Sequence, residues 1–297
     1  MTTTFTRRNF LRTTTMASLA LAVPQFPLAA TGKPGSKMRM GLVTYLWGQD
    51  WDVPTLIANC IQSKIGAVEL RTEHAHGVEP SISPERRKEV RRMFEDSPVK
   101  NLGPGTNQAY HYTDSARLRA EIEGTKAFIK LSHDIGGTGV KVKPNAFPKE
   151  VSREKTIEQI GKSLNEVGKY AGDMGQIIRV EVHGDETQEL PAMKAIFDVA
   201  DNPNVKICWN CNPQDLNGQG LEYNFNLVKH RFGDTVHVRE MNLNDYPYQE
   251  LMNLFVGIDY DGWILLECRT SPEDRIAAMI EQRKVWSKMV KKAQKKI

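Results

Sequence analysis

The stretch QIIRVEVHGDETQELPAMKAIFDVADNPNVKICWN, residues 176–210, decides the fold. Its first part alternates: Ile178, Val180 and Val182 are apolar, and Arg179, Glu181 and His183 are polar. A period of two is the mark of a strand. From Glu189 the apolar residues Leu190, Met193, Ile196 and Phe197 recur at three and four, the spacing of a helix face. NVKICWN then returns to a strand-like run. Two strands joined by a helix of this length pair in parallel, because the crossover is too long for a hairpin. The first strand ends in a carboxylate and an imidazole and the second in an amide, which are unusual endings for segments that are otherwise core.

The same unit recurs on either side. From residue 38 the chain reads RMGLVTYLWG then VPTLIANCIQSK, GAVELR then SPERRKEVRRMFEDS, VKNLGPGT then DSARLRAEIEGTKAFIKLSHDIG, and GTGVKVKPN then SREKTIEQIGKSLNEVGKYAGDMG. After residue 210 come a weaker helix near NFNLVKHRFG, then TVHVREM with YPYQELMNLF, and GWILLECR with SPEDRIAAMIEQRKVWSKMVKK. Ser83 and Pro84 stand at the N-cap and first position of the second helix. Eight strand-helix units predict a single α/β domain, a (β/α)8 TIM barrel, over residues 38–290, with a basic tail at 291–297. An open doubly wound sheet is the competing architecture, but no GxGxxG follows the first strand.

Bulk properties narrow the function. The chain has 297 residues and a formal net charge of +4. Arg7, Arg8 and Arg12 lie in residues 1–30, which hold no acid, so the remainder carries 37 basic against 36 acidic residues. That balance gives no reason to expect nucleic acid or an anionic membrane as partner. The segment TRRNFLRTTTMASLALAVPQFPLAA has a twin-arginine pair, a short apolar run and small residues near Ala29 and Ala30. It reads as a Tat signal over residues 1–30, which places the protein in the periplasm or elsewhere outside the cytoplasm, with the Tat machinery as a transient partner. The apolar run is too short for a membrane-spanning helix. Cys60, Cys208, Cys211 and Cys268 read as small buried residues; the CWNC spacing lacks the context of a redox motif.

In a barrel of this type the site forms at the C-terminal ends of the strands. Those ends carry Glu69 and Arg71, Asn107, Lys143 and Asn145, Glu181 and His183, Asn210, then His237, Arg239 and Glu240, and finally Glu267 and Arg269. Several carboxylates facing one another repel unless a cation joins them. Two carboxylates, an amide and an imidazole form a donor set for one divalent ion, Mn, Mg, Co or Zn. The alternative is a ring of salt bridges. His74 and His76, on the loop after VELR, read as substrate contacts, a second metal site or solvated residues. Trp47 and Trp209 are candidates for stacking on a sugar face or for packing.

The segments VEVH, CWN, VHVRE and LLEC, in this order, resemble those of the sugar phosphate isomerase/epimerase family, the xylose-isomerase-like TIM barrels, over most of residues 38–290. The resemblance implies one divalent metal held by Glu181, Asn210, His237 and Glu267, and a small carbohydrate substrate. It implies proton abstraction beside a carbonyl by one glutamate, through a metal-stabilised enediolate, and return of the proton by the other. Glu181 and Glu267 take these catalytic roles, with His183, Arg239, Lys143 and Glu69 as substrate contacts. Two departures stand out: Asn210 occupies a position where the family has Asp, and Pro213 one where it often has His. Competing expectations are a keto-glycoside lyase using the same proton abstraction and an exported sugar-binding barrel without catalysis. A DNA-repair nuclease with a zinc cluster needs more ligands and a more basic surface than this chain offers.

Overall fold

The computed structural model describes residues 32–297, so the export signal expected at residues 1–30 lies outside the described residues. The eight strands are β1 (Arg39–Val43), β2 (Ala67–Arg71), β3 (Lys100–Ala109), β4 (Gly139–Lys143), β5 (Ile177–Glu181), β6 (Val205–Asn210), β7 (Phe232–Val238) and β8 (Trp263–Leu266). Each is followed by a helix: α1 (Val53–Ser63), α2 (Pro84–Glu95), α3 (Ser115–Asp134), α4 (Arg153–Asp173), α5 (Leu190–Val199), α6 (Leu221–Val228), α7 (Tyr248–Gly257) and α8 (Arg275–Ala293). The strands pair in parallel in sequence order, and β8 closes onto β1 through Arg39–Trp263 to Leu42–Leu266. This is the expected (β/α)8 barrel.

Local chemistry sets the element ends. Asp52, Ser83, Asp114, Ser152 and Asp274 each accept a backbone N–H from the first turn of the helix that follows. A cap of this kind is worth about 1 kcal/mol and fixes where the loop stops and the helix starts. The weak sixth helix is short, and a 3₁₀ turn (Lys229–Arg231) carries the chain on into β7. Helix α8 runs to Ala293, three residues into the segment expected as a tail, because Lys291 and Lys292 suit the negative end of its dipole. Among the described residues no helix is long and apolar enough to cross a membrane.

The alternation in β5 now has its cause. Ile178 and Val180 are fully buried in the large apolar layer that also takes in residues of all eight helices. Arg179 and Glu181 point the other way, into the barrel. A small cluster of Val43, Ala67, Leu102, Trp263 and Leu265 fills part of that interior. The rest is charged and fully partnered at one end: Arg179 clamps Asp234 at 2.7 and 2.8 Å and donates to Leu102 O and Thr138 Oγ1. A barrel interior built from ions is stable only if each ion has a partner. All four cysteines are buried free thiols.

Candidate metal centre

Three side chains from three strand ends converge at the C-terminal mouth. Glu181, His237 and Glu267 each bring a ligand atom to within 4.8 Å of the other two, and all three are buried. His237 Nδ1 lies 3.9 Å from Glu181 Oε1 and 3.8 Å from Glu267 Oε2. That nitrogen is buried and has no hydrogen-bond partner. On the other side of the ring, His237 Nε2 faces Glu69 Oε2 at 3.4 Å. A carboxylate that takes the N–H of one ring nitrogen leaves the other free to ligate, the usual support of a metal-binding histidine. These residues therefore fit a divalent cation.

Glu69 was expected to reach substrate. Its side chain is buried, as are those of Glu181 and Glu267, and Gly105 makes the room: a Cβ there would sit 2.5 Å from Glu69 Oε1. Burial works to raise the Glu69 carboxyl, but His237, Lys141 and Arg179 outweigh it and hold it below the usual range. Glu69→Gln is accordingly expected to weaken metal affinity by about 10- to 100-fold with the three ligands intact, as read by titration calorimetry.

Glu181 and Glu267 differ in environment. Burial opposes the Glu181 charge, but the Lys141 ammonium, 2.7 Å from Oε2, and His237 together hold this carboxyl well below the usual range. Burial and the neighbouring Glu181 charge push Glu267 the other way, above it. For His237, burial opposes the charged form, yet Cys208, Glu69 and Glu181 keep the ring well above the ordinary histidine value. Asn210 donates its amide Nδ2 to Glu181 Oε1 at 3.1 Å, so the family's Asp position here orients Glu181.

The other expected residues are spread around this centre. Lys143, at the end of β4, is 9% exposed and donates to Asn107 Oδ1 at 3.3 Å; burial and the Lys141 charge bring it down to about 8. His183 follows β5, has a buried Nδ1 without a partner, and is brought down to about 4, mainly by burial. Arg239 follows β7, with its backbone N–H on Tyr248 Oη at 3.2 Å and its buried Nε unpartnered. His74 and His76 serve the loop itself: His74 Nδ1 meets Thr44 Oγ1, and His76 bridges Arg71 O and Val78 N. Trp209 packs on Phe225 and Phe232, and Trp47 donates to Thr270 O. Glu240 ties down the loop after β8 by accepting from Arg269 N and Thr270 N at 2.9 and 2.7 Å. A cleft of about 310 Å³ lined by Arg39, Asn101, Asp234 and Trp263 includes none of these site residues.

Sequence reasoning missed Lys141 and assigned no role to Asp215. GVKVK could have disclosed the first, because residues two apart on a strand share a face and Lys141 therefore points inward with Lys143. Asp215, after β6, accepts from Asn212 N and Tyr246 Oη at 3.0 and 2.7 Å, and burial lifts it to about 7. A carboxyl raised in the folded state costs nothing below its unfolded value near 4 and destabilises progressively as pH rises through 7. Asp215→Asn keeps an acceptor oxygen and removes the charge. The variant is expected to flatten the loss of stability between about pH 4 and 7, by at most about 4 kcal/mol, in urea unfolding at several pH values.

Residues 57–289 match the family described as the xylose isomerase-like TIM barrel. No curated protein matches the chain in sequence. Among solved structures, L-ribulose 3-epimerase is similar with a TM-score of 0.75 and 13% identity, over 87% of this chain and 96% of that one. The apo form of 3-keto-D-glucoside 4-epimerase from E. coli gives 0.71 and 12%, over 84% and 99%. The IOLI protein, solved with a zinc atom, gives 0.72 and 13%, over 86% and 99%. At such identities the likeness is one of fold, while the family match spans more than half of the sequence. The chain belongs to the xylose isomerase-like TIM barrel family.

Proposed function

We propose that this protein is a divalent-metal-dependent isomerase or epimerase of a keto- or aldo-sugar. The observation that carries the reading is the convergence of Glu181, His237 and Glu267 at the mouth of a barrel of this family. The structural neighbours support it: among them are proteins described as sugar epimerases. Glu181, His237 and Glu267 would hold the cation, one of Mn, Mg, Co or Zn, and Asn210 would be a fourth donor through its amide oxygen. The bound cation supplies positive charge that acidifies the C–H between a sugar carbonyl and its neighbouring hydroxyl.

The two glutamates divide the proton work. Glu181, the one held ionised by Lys141 and His237, takes the proton and leaves an enediolate. Glu267, the one biased toward its protonated form, gives a proton back to the carbon from its own side. Lys141 fixes the Glu181 carboxylate through Oε2, so the base does not need to be ordered at the moment of transfer. Lys143, His183 and Arg239 lie at strand ends from which they contact sugar oxygens. The burial of Glu181, His237 and Glu267 keeps water from competing for the proton.

The test is proton exchange. Metal-loaded protein is incubated with keto-sugars in D2O and followed by NMR. Deuterium entering at the carbon beside the carbonyl, with the carbon skeleton and mass conserved, is the expected result. Release of an aglycone from a keto-glycoside under the same conditions moves the protein to the lyases. Absence of exchange with every metal and sugar sinks the proton-transfer reading and leaves a binding protein. Export through the Tat route, proposed from residues 1–30, is tested separately by fractionating cells that express wild type and the Arg7→Lys/Arg8→Lys variant.

A further inference from the structure

We propose that the sugar bound at this mouth carries a carboxylate, held between Arg71 at the end of β2 and Lys143 at the end of β4. The inference rests on the isomerase reading of the same site and names its substrate class. Asn107 on β3 lies between the two cations. Arg71 Nη2 and Lys143 Nζ both donate to its single side-chain oxygen, each at 3.3 Å. An amide oxygen carries no net charge and two lone pairs, so it saturates one hydrogen bond of each cation and neutralises neither. Neither side chain forms an ion pair among the described residues. Several other cations of this protein do find acids: Arg87 pairs with Asp134, Lys126 with Glu166 and Arg179 with Asp234.

Two unpaired cations are unfavourable neighbours at this depth. Lys143 is 9% exposed, and the Arg71 Nε is buried with no partner at all. The Arg71 guanidinium also lies over the Tyr45 ring, 5.3 Å from its centroid, which restrains its plane. Like charges are gathered and left uncompensated where an anion is to be received. Charge counting at the whole mouth agrees. A divalent ion cancels the charges of Glu181 and Glu267. Arg239 and Glu240 at the end of β7 cancel, and what remains is Lys141, Lys143 and Arg71 against Glu69, an excess of positive charge that a neutral sugar does not require. A carboxylate brings one charge and two oxygens, one for the guanidinium and one for the ammonium.

The site is close to the reacting groups. Lys143 stands two residues from Lys141 on the same face of β4, and Lys141 pairs with Glu181 at 2.7 Å. The carboxylate therefore orients the sugar with its carbonyl end toward the glutamates, and it also accounts for cations on β2 and β4, away from the three ligand strands.

The experiment is calorimetry on metal-loaded protein with D-glucuronate, D-glucose and inorganic phosphate. Glucuronate is expected to bind at least about 10-fold more tightly than glucose, a difference of about 1.4 kcal/mol. Arg71→Met and Lys143→Met, each checked for fold by circular dichroism and for metal by plasma mass spectrometry, should each lose that preference and keep the metal. Two variants are used so that misfolding of one does not decide the result. Equal binding of glucose and glucuronate, or phosphate binding that glucuronate does not match, overturns the carboxylate assignment. So does a variant that slows exchange of a neutral keto-sugar while glucuronate affinity stays unchanged, because the cations then act on the enediolate. Exchange of neutral sugars with no preference for glucuronate would leave the isomerase reading standing alone. A glucuronate preference with no exchange of any sugar would leave the anion site standing and remove the isomerase.

Discussion

Glu267→Gln is expected to abolish turnover and at the same time to make the metal-free protein more stable. Both effects come from one carboxylate. Glu267 is buried and feels the Glu181 charge, so its carboxyl is pushed above the ordinary value of 4.5. A group raised in the folded state contributes fully below its unfolded value and loses that contribution as pH climbs through the folded one. Above the unfolded value Glu267 therefore destabilises the metal-free protein, and glutamine, of nearly the same shape and without a charge to bury beside Glu181, removes that cost. The gain in unfolding midpoint should be present at pH 7 and vanish near pH 4. It should reverse when a divalent ion is added, because wild type gains binding energy that the variant lacks. Loss of a positioned proton donor costs about 10²- to 10⁴-fold in rate, to which loss of a metal ligand adds. Deuterium exchange measures the rate, and thermal melts with and without metal measure the rest. A variant that keeps full exchange removes Glu267 from the mechanism. A variant less stable than wild type without metal contradicts the like-charge account.

The second large effect belongs to Lys141. Its ammonium is fully buried, 2.7 Å from Glu181 Oε2 and 3.1 Å from Thr106 O. Lys141→Met leaves the Glu181 charge buried with only Asn210 and His237 beside it. Breaking a buried pair by removing one partner costs about 3–5 kcal/mol. For a domain of this size that corresponds to a fall of about 6–20 °C in the unfolding midpoint. Two further measurements make the cause specific. Lys141→Met/Glu181→Met should recover most of the loss, because no uncompensated charge is then left inside. A divalent ion should also restore part of it to the single variant, since the cation takes over the Glu181 charge. An unchanged midpoint for Lys141→Met shows that the pair contributes nothing net. A loss that neither the double variant nor metal relieves assigns it to lost packing of the lysine stem.

Much of this was legible because a barrel repeats one rule. Period-two runs separated by helix-period runs give the count of strands, and parallel closure gives the end at which the site forms. Strand ends thus put Glu181, His237 and Glu267 among the mouth residues, and the family resemblance singled them out as ligands, although 86 residues separate the first from the last. Asn210 was legible as a departure, and its chemistry was not: whether an amide ligates or donates depends on which neighbour it faces. It faces Glu181. Helix α8 outran its expected end because charge in a last turn favours a helix, while the sequence rule treated the lysine run as solvated tail.

The sequence by itself determined the eight units, the end of the barrel that carries the chemistry and the donor types assembled there, because backbone period and strand-end position are local properties. Only the tertiary structure decided which charge meets which. Glu69 sits 168 residues from His237, and the closed barrel brings its carboxylate to the ring nitrogen that frees the other for a metal. Lys141 reaches Glu181 for the same reason, and Arg71 and Lys143 come to share Asn107 across three neighbouring strands. Pairing energies inside a protein fall steeply with distance and depend on burial, and both are fixed only when the strands have closed.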